Sequence, residues 1–257
     1  MTLLRRTALA VGLPVGLIVA WWVSSAGSTD FYRPALSSIL TAFVDTWTAE
    51  RIATDVLPSL GRLAVGYAIA LVAGVAGGVV IGSSPTVRAL VEPVLEFARA
   101  IPPPVLVPVF ILLAGIGDRT KVLVIAFGSV WPILLNTVEG VRGRDELLSD
   151  TCRAYRIGGL LRLRHLVLRA ASPQIVTGAR QALSIAIILM VISEMMAANN
   201  GLGFAVVQFQ RGFQIPEMWS GVLLLGLIGV ALAALFQLVE RRLLGWYHGE
   251  RAGRREW

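Results

Sequence analysis

The stretch LAVGYAIALVAGVAGGVVIGSSPTV, residues 63–87, has no charged side chain in 25 consecutive positions. A helix needs about 20 apolar residues to cross the hydrocarbon core of a bilayer. A charge at the bilayer centre costs about 2.5–3.5 kcal/mol on insertion scales, so charged residues mark the ends of such helices. The stretch therefore predicts a helix that spans a membrane.

Five further stretches of the chain have the same character, and only one of them contains a charge, Glu194. They cover residues 7–29, 100–117, 122–138, 181–210 and 218–239. The whole chain is 56% hydrophobic and 15% charged, whereas a soluble domain carries about 25% charged residues. We predict an all-α polytopic membrane protein with about six transmembrane helices, which leaves no room for a soluble catalytic domain.

The distribution of cations predicts the orientation of these helices, because loops rich in arginine and lysine stay in the cytoplasm. One set of alternate loops holds Arg33, Arg51, Arg62, Arg119, Lys121 and Arg211. The other 17 of the 23 cations lie in the remaining loops and at both termini. Both termini are therefore predicted to be cytoplasmic.

The first charge-free stretch has two interpretations. It is either a retained helix or a cleaved secretory signal, because Arg5 and Arg6 precede it and the small residues at 24–26 resemble a cleavage site. Cleavage would leave every later loop on the same side of the membrane. The predicted orientation therefore does not depend on this choice.

Residues 139–174 form a polar segment between two predicted spans, called here the 139–174 loop. It holds seven arginines, a Gly158-Gly159 pair and the apolar residues Ile157, Leu160, Leu161, Leu163, Leu166, Val167 and Leu168. Glycine adopts non-helical backbone angles at the lowest cost, so two short helices joined at the glycine pair are predicted. An apolar face with a cationic rim indicates either protein docking or contact with anionic lipid.

Within this loop the sequence resembles the binding-protein-dependent ABC importer permeases, in particular the branch of the sulfonate, taurine and nitrate systems. Their cytoplasmic motif reads Glu-Ala-Ala, three residues, glycine, about nine residues, Ile or Val, one residue and Leu-Pro. The residues here in the same register are Cys152, Arg153, Ala154, Gly158, Val167 and Leu168, and Pro173 closes the loop. Cys152 and Arg153 replace the Glu-Ala of the motif, and Arg169 replaces its first proline.

The resemblance extends over roughly residues 55–240. Its other matching segments are Pro58-Ser59-Leu60-Gly61-Arg62 with Gly66, Pro93, Arg99-Ala100-Ile101-Pro102, Pro108, Gly115-Ile116-Gly117, Ser193-Glu194-Met195 and Gly201-Leu202-Gly203. The chain is accordingly divided into an N-terminal helix with an external loop (1–54), a permease core (55–240) and a basic cytoplasmic tail (241–257).

The resemblance implies a type I ABC importer permease that works as a homodimer, with two cytoplasmic ATPase subunits and an extracytoplasmic solute-binding protein. It implies that the 139–174 loop is the coupling helix, which transmits movement of the ATPase to the membrane helices. The residues assigned to this contact are Arg153, Ala154, Tyr155, Arg156, Ile157, Gly158, Gly159, Leu160, Leu161 and Pro173. ATP-Mg would bind to the partner, because this chain has no Gly-rich Lys-Ser/Thr phosphate loop.

Candidate residues of the solute pathway or its gate are Pro102, Pro108, Glu194, Gly201 and Gly203. The prolines break the third span, and a broken helix at membrane depth borders a cavity or is simply kinked. A carboxylate inside a membrane faces a cavity or a polar partner, but the polar residues after Glu194 favour a helix end at the outer interface. There, Glu194→Gln should lower transport by less than about tenfold.

A membrane-embedded enzyme and a passive channel are the competing functions. An enzyme needs a nucleophile with a base, a carboxylate pair or a metal site. Neither His165 nor His248 lies in a predicted span, no second acid accompanies Glu194, and Ser129 has no evident base. No catalytic residue, bound cofactor, metal or nucleic-acid partner is predicted. A passive channel does not require the 139–174 loop, and the family branch implies a small organic anion as the solute.

The single cysteine, Cys152, provides a test of the predicted orientation because its loop should be cytoplasmic. A maleimide that cannot cross membranes should leave Cys152 unlabelled in intact cells and should label it after permeabilisation. The denatured protein is the control, because a bound partner would cover the thiol in both samples. Strong labelling from outside intact cells would reverse the orientation.

Overall fold

The computed structural model describes residues 3–28, 30–196 and 198–245, and these residues form helices and turns without any strand. The helices are α1 (Leu3–Ser25), α2 (Leu36–Thr46), α3 (Ala49–Ser83), α4 (Pro85–Ala100), α5 (Pro103–Ala114), α6 (Asp118–Arg142), α7 (Glu146–Ala154), α8 (Gly159–Met196), α9 (Leu202–Arg211) and α10 (Ile215–Leu243). The predicted all-α class is confirmed. Most of the predicted basic tail, 241–257, lies outside the described residues.

Four of these helices, α3, α6, α8 and α10, are long and apolar enough to cross a membrane. They correspond to the second, fourth, fifth and sixth predicted spans. Helix α1 corresponds to the first predicted span and has 23 residues. The pair α4 and α5 passes the same test of length and apolar composition only when its two helices are taken together.

Two predicted spans differ from the structure. The third, 100–117, contains only the short helix α5 (Pro103–Ala114), which joins α4 across a break bent by 84°. Pro102, Pro103 and Pro104 at that break have no backbone N–H and fixed φ angles, so a helix cannot continue through them. The fifth, 181–210, ends at Met196, and α9 starts as a separate helix at Leu202.

Helices α3, α6 and α8 form the core of the bundle, and α3 meets α6 along a stripe of small residues. Gly66, Ala70, Gly74, Gly78 and Gly82 recur every four residues and are therefore on one helix face. A Cβ at Gly66, Gly74 or Gly78 would lie 2.7, 2.8 or 2.5 Å from the nearest side-chain atom of α6. The small residues of this face therefore allow the two helices to approach closely.

The three core helices share two ends. At one end, Ser83 of α3 and the start of α8 at Gly159 line a pocket of about 280 Å³ together with Arg144. At the other end lie the last turn of α8, the first turn of α6 and the short helix α9. Helix α10 packs against α9 and α2, and the indole N–H of Trp47 donates a hydrogen bond to Ser220 Oγ (3.1 Å).

The stripe predicts different outcomes for two neighbouring glycines of α3. Gly78→Ala should destabilise the protein by about 1–3 kcal/mol, because the added methyl group overlaps Thr137. Gly77→Ala is the matched control, since its Cβ would lie 3.5 Å from Leu134 and alanine favours the helix by up to about 1 kcal/mol. Thermal unfolding in one detergent–lipid mixture compares them, and equal stability of the two variants would contradict the close packing.

Candidate functional site

The first half of the 139–174 loop is a well-defined helix, α7, with a cap at each end. Asp145 Oδ1 accepts a hydrogen bond from the backbone N–H of Leu147 (2.8 Å) at its start. At its end the N–H groups of Arg156 and Ile157 bond to the carbonyls of Arg153 and Cys152 (3.1 and 2.8 Å). This is the Schellman arrangement, and Arg156 takes the left-handed φ of 54° that it requires.

The glycine pair differs from its predicted role. Helix α7 ends at Ala154, four residues before Gly158, and α8 begins at Gly159 and runs without a gap to Met196. Gly158 has an extended φ of −128° that any residue can adopt, whereas Gly159 has a φ of 59°. Of the two glycines, only Gly159 therefore occupies a backbone position that favours glycine.

The apolar residues predicted for docking are largely exposed. Tyr155 and Leu160 are both 77% exposed and Leu161 is 57% exposed, while Ile157 and Ala154 also lie at the surface. Leu147 and Leu148 of α7 add two exposed apolar side chains that the sequence interpretation missed. The loop thus presents an apolar surface rather than a buried apolar face.

The remaining loop residues have mixed environments. Arg153 forms an exposed ion pair with Asp150, and Arg156 is exposed. Leu166 and Val167 are buried, and Val167 packs with Val141 in the core. Pro173 lies half-buried within α8.

Glu194, predicted to lie at an outer helix end, is in the last turn of α8 but is fully buried, with 0% exposure. Its carboxylate accepts hydrogen bonds from Ser59 Oγ (2.8 Å), Arg62 Nη1 (2.7 Å) and the backbone N–H of Gly203 (3.1 Å). The expectation of a small effect from Glu194→Gln is therefore withdrawn. Removing the charge would leave Arg62 without its buried counter-ion.

Arg62 connects four parts of the chain. Besides Glu194, it donates to Asp118 Oδ1 (2.8 Å) and to Asn200 Oδ1 (2.5 Å). Lys121 Nζ lies 3.6 Å from the same Asp118 oxygen. The set Asp55, Ser59, Arg62, Asp118, Lys121, Glu194 and Asn200 is called here the polar cluster.

The polar cluster also caps the start of α9. The first backbone N–H groups of a helix have no partner within the helix. Here Gly201 N–H donates to Asp55 Oδ1 (3.0 Å), Leu202 N–H to Ser59 Oγ (2.9 Å), and Gly203 N–H to Glu194. Two carboxylates at this end also match the positive end of the helix dipole.

Gly201 and Gly203 are required by this close approach. Gly201 has a φ of 120°, and a Cβ there would lie 2.6 Å from the carboxyl carbon of Glu194. A Cβ at Gly203 would lie 2.4 Å from the carbonyl oxygen of Val191. The structure therefore brings together three of the five predicted pathway residues, in a packed polar site.

The other two predicted pathway residues, Pro102 and Pro108, lie apart from this site and are exposed. Their neighbour Pro103 packs onto the core, because its ring lies 3.0 Å from where a Cβ of Gly128 would be. That same Cβ would lie 2.1 Å from Leu189 of α8. The break between α4 and α5 therefore rests where α6 meets α8.

Sequence interpretation placed Arg62 in an external loop and overlooked its partners. A usable signal was present, because Arg62 and Lys121 each precede a charge-free stretch and Glu194 is the one charge inside another. In the predicted topology these three positions are on the same side of the membrane. Charges at one depth on neighbouring helices are candidates for pairing.

These features define a class of protein. The site contains one ion pair buried on both sides, Arg62–Glu194, and the caps of α9. Among the described residues no three His, Cys, Asp or Glu side chains are grouped to hold a metal ion. A bundle of membrane helices with an exposed apolar loop at one end is compatible with a membrane transport permease. The chain belongs to the binding-protein-dependent transport system inner membrane component family, which matches residues 66–245.

Several curated relatives are similar over most of their length. The putative aliphatic sulfonates transport permease SsuC of Bacillus subtilis is 27% identical over 91% of this chain and 86% of its own. The taurine transport permease TauC of Escherichia coli is 27% identical over 96% and 92%. The bicarbonate transport permease CmpB of Synechococcus elongatus is 27% identical over 90% and 87%.

Solved structures share the fold. The inward-facing MetNI methionine ABC transporter matches with a TM-score of 0.60 and 22% identity, over 74% of this chain and 93% of the other. An amino acid ABC transporter crystallised with histidines matches with a TM-score of 0.59 and 14% identity, over 84% and 99%. The predicted ABC importer permease fold is confirmed.

The buried carboxylate predicts that Glu194→Gln destabilises the protein by on the order of 3 kcal/mol, a loss moderated because Arg62 keeps its contact with Asp118. Glu50→Gln is the matched control, since Glu50 is exposed and such changes are usually within about 0.5 kcal/mol. Thermal unfolding of the purified protein measures both. A Glu194→Gln variant as stable as the Glu50→Gln variant would show that the pair is unimportant.

Proposed function

We propose that this chain is the membrane permease of an ATP-driven importer for a small oxyanion, with the 139–174 loop as the docking site of a separate ATPase subunit. The observation that carries the proposal is the apolar surface of that loop. Tyr155, Leu160 and Leu161 are exposed on a segment too polar to lie within the bilayer. Burying such side chains against a partner stabilises the complex by about 25 cal/mol per Å² of apolar surface removed from water.

The loop also has the stiffness that docking requires. Helix α7 is capped at both ends, and its Schellman turn fixes the direction in which the chain reverses. Helix α8 continues from Gly159 to Met196 as one element of 38 residues, which corresponds to about 57 Å at 1.5 Å per residue. A displacement of the loop by the ATPase would therefore reach the polar cluster along one helix.

The further partners follow from the same proposal. ATP-Mg binds to the ATPase subunit, two permease copies form the transporter, and a solute-binding protein docks on the opposite, extracytoplasmic side. Both termini and the 139–174 loop then lie in the cytoplasm, in agreement with the distribution of cations. The membrane is the cytoplasmic membrane of a prokaryote.

The proposed solute class rests on what the relatives are named for. Those names specify aliphatic sulfonates, taurine and bicarbonate. Sulfonates and bicarbonate share a compact anionic group with several oxygen acceptors, and taurine carries the sulfonate group. A small oxyanion is the chemistry common to the three.

Gly159 provides the test of coupling. Gly159→Val should strain the turn between α7 and α8, because a β-branched residue disfavours the φ of 59° by about 1–2 kcal/mol. Gly158→Val is the matched control, since its φ of −128° suits valine and no atom lies within 4 Å of its Cβ position. The amount of ATPase subunit that co-purifies with the permease should fall about fivefold or more for Gly159→Val and should be unchanged for Gly158→Val.

A second pair of variants tests the docking surface without altering the backbone. Leu161→Asp places a charge on the apolar surface, whereas Leu161→Met keeps an apolar side chain of similar volume. Both should reach the membrane, because Leu161 is exposed in the permease. Wild-type ATPase association and solute-stimulated ATP hydrolysis in both the Leu161→Asp and the Gly159→Val variants would favour lipid contact as the role of the loop.

A further inference from the structure

One face of α8 carries a line of exposed polar side chains. Gln174, Thr177, Gln181 and Ser184 are all exposed. They are spaced by three or four residues, which places them on the same side of a helix. The opposite face of α8 holds the buried residues Ala179, Ala182 and Ala186, which pack in the core.

When Glu194 is taken as the far end of the spanning part of α8, helix length places Thr177, Gln181 and Ser184 at the depth of the hydrocarbon and Gln174 at its edge. From Gln174 to Glu194 there are 20 residues of helix, about 30 Å, which is the thickness of the bilayer core. Ser184 is at the midpoint of this segment and Gln181 is one turn from it. The Thr177 hydroxyl donates to the carbonyl of Pro173 (2.9 Å), but lipid tails would leave the remaining donors and acceptors of this face unsatisfied, at a cost of several kcal/mol for each such group.

Two neighbouring helices add polar groups to the same surface. Asn136 of α6 donates from its amide nitrogen to Gln181 Oε1 (3.3 Å). On the other side, Ser184 lines a groove of about 450 Å³ between α8 and α10, together with Arg180 and Gln237. Arg180 is paired with Glu240 of α10, so the surface combines neutral polar groups with one balanced ion pair.

The exposed face of α8 changes from polar at the loop end to apolar at the end near the polar cluster. Beyond Ser184, toward the polar cluster, the exposed residues of the same face are apolar, namely Ile188 and Met195. Toward the loop end the face remains polar as far as Gln174, where α8 meets Gly140 of α6. The wettable part of the surface therefore opens toward the loop end of the bundle.

We propose that Gln174, Thr177, Gln181 and Ser184 of α8, with Asn136 of α6, line the loop-side part of the solute pathway. This rests on the proposed function and names the groups that meet the solute. Amide and hydroxyl groups can donate to the oxygens of a sulfonate or carboxylate. Because no unpaired cation is among them, they hold an anion weakly enough to release it, as conduction requires.

Cysteine labelling tests whether this face is in water. Thr177→Cys, Gln181→Cys and Ser184→Cys are made in a Cys152→Ser background, which removes the only native cysteine. Val72→Cys is the matched control, because Val72 is 71% exposed near the middle of α3 and should face lipid. A methanethiosulfonate reagent that cannot cross the bilayer is applied from the loop side in inverted membrane vesicles that contain the complete transporter.

The three α8 variants should react at least about tenfold faster than the Val72→Cys variant, since only a thiol in water forms the reactive thiolate. Equally slow reaction at all four positions would overturn the proposal. So would spontaneous disulfide formation between two copies at Gln181→Cys or Ser184→Cys without labelling, because the face would then be a dry dimer contact. Labelling does not depend on ATPase association. A failed labelling test can therefore be distinguished from a failure of the proposed function.

A second readout separates the pathway from a blind crevice. Attachment of the bulky reagent at Gln181→Cys should reduce ATP-driven uptake at least about tenfold, because the adduct occupies the route of the solute. The same treatment of the Val72→Cys variant should leave uptake unchanged. Complete labelling at Gln181→Cys with unchanged uptake would overturn the pathway assignment even though the face is wet.

Discussion

The fold depends on the buried ion pair between Arg62 and Glu194, which are 4% and 0% exposed at their side chains. Neither charge is stable alone in such a site, because the desolvation of each must be offset by the other and by further hydrogen bonds. Ser59, Asp118 and Asn200 supply those bonds. The pair therefore fixes α3, α6 and α8 relative to one another and anchors the start of α9.

The glycine stripe and the pair act at different places on the same core. The stripe brings α3 against α6 by removing side chains, which is how helices associate where lipid provides no hydrophobic driving force. The polar cluster then closes one end of the core, and the 139–174 loop projects from the other. Such a bundle transmits a displacement as a unit, because packed helices shift between discrete arrangements rather than deform.

Hydrophobic stretches and their charged ends were sufficient to predict the class and the helices α3, α6, α8 and α10. They were insufficient where backbone geometry or contacts distant in sequence decide the outcome. The 84° bend between α4 and α5 depends on how the prolines rest on α6 and α8. The polar residues after Glu194 indicated an interface, and its buried partner Arg62 lies 132 positions away in sequence. Gly158 and Gly159 differ in a φ angle that composition cannot reveal.

Whether the buried pair holds these helices together is measured most directly by a double-mutant cycle on the purified permease. Thermal stability is compared for wild type, Arg62→Met, Glu194→Gln and the double variant. Each single variant leaves one buried charge or its partners unsatisfied, so the double variant should be more stable than the sum of the two losses predicts, with a coupling of about 1–3 kcal/mol. Strictly additive losses would show that the two side chains stabilise the core independently, and would contradict the pairing.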